Sequence, residues 1–110
     1  LHNGRAVYLE VKTCHAGTFA LREIELAQWD EMHEVARFGA VCALVVLWTP
    51  DSKRGREALG RPSAWCVVPW DVLLVARDVG NGSLSSETLA RHAIPAGESW
   101  VDALLVGEVA

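Results

Sequence analysis

The chain has 110 residues, 51% hydrophobic and 22% charged, the proportions of one soluble globular domain rather than a disordered or fibrous chain. A formal net charge of −4 excludes a generally basic surface, so any contact with nucleic acid must come from a local cluster. The longest apolar run, Ala40–Trp48, is far shorter than the ~20 residues of a membrane span, and no stretch has the pattern of a signal peptide.

Cys14, Cys42 and Cys66 are odd in number, lie in apolar segments and form no C-x-x-C pair. Buried reduced thiols are therefore expected, not a zinc site or disulfide framework, and with them a cytoplasmic location and no membrane partner.

In chain order, Ala6–Cys14 is rich in Val and Tyr and partly alternating, which predicts a strand. Phe19–Leu21 is a short extended piece after the turn at Ala16-Gly17. From Arg22 the period changes: Leu21, Ile24, Gln28, Met32 and Val35 recur at spacings of three and four, predicting an amphipathic helix that Gly39 ends. Ala40–Trp48 reads as a strand covered on both faces. Thr49–Pro62 reads as a loop, and Ala64–Val68 as a second buried strand. Pro69 starts a helix over Trp70–Val79, which stops at Gly80-Asn81-Gly82. A short helix is expected over Ser85–Arg91 with Ser85 as N-cap, then a turn at Ile94–Gly97 and a last segment, Trp100–Leu105. The order implies one α/β domain over 1–110, a small mixed sheet flanked by helices.

Glu10 and Lys12 are the first candidates for chemistry. Two residues apart on a strand, they leave the same face with Cα atoms roughly 6.6 Å apart, while Leu9 and Val11 point the other way, into a core. The Glu10/Lys12 face is expected to be exposed and concave. Phosphodiester hydrolysis needs a hard cation held by oxygens, an attacking water and positive charge near the phosphorane. Glu10 could hold the cation, the Val11 carbonyl could add an oxygen, and Lys12 could supply the charge. A solvated strand face with an ion pair has the same sequence.

Gln28, in mid-stripe on the helix, needs a hydrogen-bond partner on the sheet. It either ties helix to strand or lies over Glu10 and Lys12 to position a water or phosphate. Glu31 borders the same stripe. Lys53, Arg54, Arg56 and Arg61 crowd the basic loop at 50–63, which is either simply solvated or touches phosphate. His15, in the turn after Lys12, is a surface residue or a further phosphate contact. Trp29 falls off the apolar helix face and is a candidate dimer contact.

Asn3-Gly-Arg-x2-Tyr-Leu-Glu-Val-Lys-Thr13, Thr18-Phe-x-Leu21, Gln28, Met32, Gly39 before the apolar strand, Trp65–Pro69, and the tail residues Ser85, Leu89, Ile94, Pro95 and Asp102 occur in a telling order. That order resembles the RecU-type Holliday junction resolvases of the PD-(D/E)XK nuclease superfamily. The resemblance implies a restriction-endonuclease-like core, a Mg²⁺ cofactor for which Mn²⁺ can substitute, four-way or other branched DNA as substrate, and a homodimer. Carried to these positions, Glu10 is a metal ligand, Lys12 the catalytic lysine and Gln28 the helix-borne polar residue. The chain departs from the pattern at Ala27 and Glu31, where many members carry His. The family's metal-binding aspartate would precede Leu1, so the domain is expected to be N-terminally incomplete and its Mg²⁺ binding weak. Other readings are a restriction or repair nuclease of the same superfamily, or a catalytically inactive relative that binds DNA or protein.

Overall fold

The computed structural model describes residues 6–80 and 82–95. The readings at Asn3–Arg5 and Asn81 and those on residues 96–110, including Trp100–Leu105 and Asp102, lie outside them.

The elements run β1 (Val7–Cys14), β2 (Phe19–Ala20), a 3-10 turn (Leu21–Glu23), α1 (Leu26–Arg37), β3 (Val41–Trp48), α2 (Lys53–Leu59), β4 (Ala64–Pro69), α3 (Trp70–Val79), β5 (Ser83–Leu84) and α4 (Ser86–Arg91). The main sheet has the order β1-β3-β4. Strand β1 runs parallel to β3, Glu10 facing Leu44 and Lys12 facing Val46, and β4 runs antiparallel to β3. A parallel pair needs a long crossover, and α1 supplies it. The small ribbon β2–β5 and a bond from the Leu21 amide to the Gly82 carbonyl (2.9 Å) tie the start of that crossover to the chain after α3. The domain is thus a small mixed α/β unit, as the element order implied.

Period two along the strands divides the core between two sheet faces. Leu44, Val46 and Trp48 of β3, with Cys66 and Val68 of β4, face the helices and join Met32, Trp29, Leu73 and Leu89 in the larger cluster. Ala43, Val45 and Val67, with Ile94, form a smaller cluster on the other face, against which Val7, Leu9 and Val41 pack. All three thiols are buried, and desolvation pushes Cys66 up to about 12, an inert core sulfur.

Four expectations are corrected. Thr49–Pro62 is not all loop: α2 occupies Lys53–Leu59, with the Ser52 hydroxyl accepting from the Gly55 amide at its start and Gly60 at φ +73 closing it. Gly55 is required inside this helix because a Cβ there would stand 2.7 Å from Pro50 Cβ. The long helix starts at Leu26, after a 3-10 turn, rather than at Arg22. Trp29 is buried, not set out for a partner: its ring lies 5.8 Å from that of Trp70, with the Arg77 guanidinium 4.9 Å above it. Helix α1 packs on α3 as well as on the sheet, which widens its buried arc to include Trp29. Finally, Leu9 packs against the smaller cluster as expected, but Val11 on the same face is 57% exposed because that cluster does not reach it.

Leu73, fully buried where α3 meets the sheet, should lose about 2–5 kcal/mol on change to Ala in urea unfolding. Val75→Ala, on the outer side of the same helix and 61% exposed, should stay within about 0.5 kcal/mol.

Candidate functional site

Strand β1 presents Tyr8, Glu10 and Lys12 in succession on its helix-side face. The first turn of α1 lies against that row. Gln28 Nε2 donates to Glu10 Oε1 at 2.6 Å, and Lys12 Nζ stands 3.8 Å from the same oxygen. Tyr8 OH donates to Glu10 Oε2 at 3.4 Å, a long and weak contact. The Glu10 and Lys12 side chains keep 16% and 24% exposure, so the pair sits at the rim of the helix–sheet core, not on an open concave face.

Local sequence explains why Gln28 is aimed inward. It occupies the third position of α1 and closes a capping box with Glu25, whose side chain accepts from the Gln28 backbone. In return Gln28 Oε1 accepts the Glu25 backbone N–H at 2.9 Å. A backbone N–H can only donate, so the amide must turn its oxygen to Glu25 and its nitrogen to Glu10. Each end of Gln28 thus meets a protein partner, an arrangement that orients Glu10 and leaves a second N–H on the amide nitrogen.

Lys12 is less committed. At 3.8 Å it forms an ion pair with Glu10 without close hydrogen-bond contact, and an ammonium carries three donors. It can reach a further oxygen acceptor. Tyr8 is the neighbour whose acidity responds to the cluster: burial first, then the negative charges of Glu31 and Glu10, push its phenol above the ordinary value. Glu31, three residues after Gln28 on α1, thus faces the same region electrostatically while remaining exposed.

The other candidates are placed elsewhere. His15 Nδ1 is 2.5 Å from Thr49 Oγ1, and its carbonyl accepts the Asp51 N–H, which binds the turn after β1 to the segment after β3. Lys53 and Arg54 are exposed on α2, Lys53 at 3.8 Å from Glu57. Arg56 donates to the Asp51 carbonyl and Arg61 to the Ile94 carbonyl. Among the described residues Arg61 Nε is buried with no hydrogen-bond partner, while the same guanidinium holds the chain after α4 at the Ile94 carbonyl. Of the four clustered cations, Lys53, Arg54 and Arg56 are exposed and Arg61 is half-buried. Two residues that matter were not singled out by sequence reasoning: Tyr8, which period two places beside Glu10, and Glu25, which stands at capping-box distance from Gln28.

A hard divalent cation asks for about six oxygens, usually with one or two carboxylates among them. Glu10 offers one carboxylate, both of whose oxygens already meet protein donors. Among the described residues no group of three or more His, Cys, Asp or Glu comes together. These residues do not by themselves make a Mg²⁺ site.

No protein-family model, curated protein or solved structure matches this chain.

Gln28→Ala should cost about 1–2 kcal/mol, since it removes both the cap and the bond to Glu10. Gln28→Glu should be less stable still at neutral pH, with two carboxylates in contact. It should recover as the pH falls through the carboxylate range and protonation restores a donor; a pH series of urea midpoints checks the sign. Titration calorimetry with Mg²⁺ alone should show binding weaker than micromolar, because Glu10 has no second carboxylate beside it among the described residues.

Proposed function

We propose that this chain is the core of a PD-(D/E)XK-type DNA endonuclease that hydrolyses phosphodiesters in branched DNA, four-way junctions above all. The observation that carries the reading is the meeting of Gln28, Glu10 and Lys12 across 18 residues of chain. Those are the three residues that the resemblance to RecU-type resolvases picks out. In hydrolysis, water adds to phosphorus, negative charge builds on the phosphoryl oxygens, and the P–O bond to the leaving sugar oxygen breaks. Lys12, partly exposed and with donors to spare, is suited to stand against that charge. Glu10 holds Lys12 in place, and Gln28 holds Glu10. Lys53 and Arg54 are suited to contact the DNA backbone away from the reacting phosphate.

Mg²⁺, with Mn²⁺ as a substitute, and a homodimer belong to this reading through the resemblance. The cation would need oxygens besides those of Glu10. A second reading, an inactive relative that binds DNA, is favoured by that same shortage and by the engagement of both Glu10 oxygens.

Cleavage of a four-way junction and of linear duplex, with Mg²⁺ and with a chelator, separates the two readings. The nuclease reading expects Mg²⁺-dependent cleavage that favours the junction. Lys12→Ala should fold normally, by circular dichroism, and lose roughly a hundred-fold or more in rate. Undiminished cleavage by Lys12→Ala would remove the role given to the lysine. Junction binding that survives chelation, without cleavage, would establish the second reading.

A further inference from the structure

The nuclease reading leaves Tyr8 unused, yet it is the chain's single tyrosine and shares a strand face with Glu10 and Lys12. Its ring packs against the larger core cluster and fixes where the hydroxyl can go. That hydroxyl meets Glu10 Oε2, while Oε1 belongs to Gln28 and Lys12. A carboxylate held at one oxygen can still swing about its terminal torsion, which is broad for glutamate. A donor at the second oxygen, even a long one, selects one orientation.

We propose that Tyr8 is a positioning residue for Glu10: its hydroxyl holds the second carboxylate oxygen so that the first stays directed at Gln28 and Lys12. The inference rests on the nuclease reading for its catalytic consequence, and on the contacts alone for its structural one. Gln28 reaches Glu10 from the helix layer and Tyr8 from its own strand. The carboxylate is thereby held from both sides, and Lys12 pairs with the oxygen that Gln28 holds. Without the hydroxyl, Glu10 Oε2 loses its donor, the carboxylate gains freedom about its terminal torsion around the Gln28 bond, and the ammonium paired with it gains the same freedom. Misplacement on this scale can reduce rates greatly while leaving binding intact.

Tyr8→Phe tests this, since it deletes the hydroxyl and keeps the packed ring. Two measurements are made: kcat and KM on a four-way junction with Mg²⁺, and the side-chain amide signals of Gln28 by ¹⁵N NMR without metal or DNA. The expected result is a fall in kcat of about ten-fold or more with KM unchanged, together with movement of the Gln28 amide signals toward those of a solvated glutamine. Gln28 signals identical to wild type overturn the inference, whatever happens to the rate, because Tyr8 would then not act through Glu10. If the wild type does not cleave at all, the nuclease reading fails, and the Gln28 signals alone decide whether Tyr8 holds the carboxylate. Should Tyr8→Phe not fold, Glu10→Gln is examined from the other side: it must shift the ring signals of the single tyrosine, and unmoved signals overturn the contact.

Discussion

One hydrogen bond organises this site: Gln28 Nε2 to Glu10 Oε1, 2.6 Å long and running from a helix start to a strand. Its direction is imposed from outside, by a backbone N–H at Glu25 that can only donate. A charged acceptor makes the bond stronger than one between neutral partners. Lys12 then takes its position from the carboxylate. If the helix began one residue earlier or later, Gln28 would leave the third position, the capping box would be lost, and the Glu25 N–H would no longer set which end of the amide meets Glu10.

Surrounding packing makes that bond possible without isolating the site. Tyr8, two residues before Glu10 on β1, packs against the larger core, and Leu44, facing Glu10 on β3, belongs to it, so the carboxylate is lifted out of bulk water along one side. Being at the rim, it is not fully desolvated, which would demand a better partner than a lysine at 3.8 Å. A polar network placed at the border of an apolar layer is held by the layer's rigidity and still reachable from solvent.

Much of this was legible in the residues. The main strands and the two longer helices follow from apolar periodicity, and mid-stripe Gln28 pointed to a polar partner on the sheet. Which face of β1 the helices cover was not legible. Period two puts Glu10 and Lys12 together but is silent on where α1 docks and on how far the smaller core extends, so that Leu9 joins it while Val11 stays exposed. Helix α2 escaped notice because Lys53–Leu59 has no apolar stripe and contains Gly55, although Ser52 and Gly60 mark its ends. Spacing also could not tell that Arg61 turns to the Ile94 carbonyl while Lys53 turns outward. Such choices are made by contacts between segments far apart in sequence.

The parallel pairing of β1 with β3 also sets an order of events. Within the described residues β1 has no ladder partner until Val41–Trp48 is available, and the register places Val7 opposite Val41. Pairings across long stretches of chain form slowly, whereas a helix turn forms in well under a microsecond to microseconds. The capping box that aims Gln28 can therefore exist while β1 is still unpaired, waiting for the strand that brings its carboxylate. During synthesis, Glu10 and Lys12 emerge from the ribosome first and take their final places only after residue 48 has followed them.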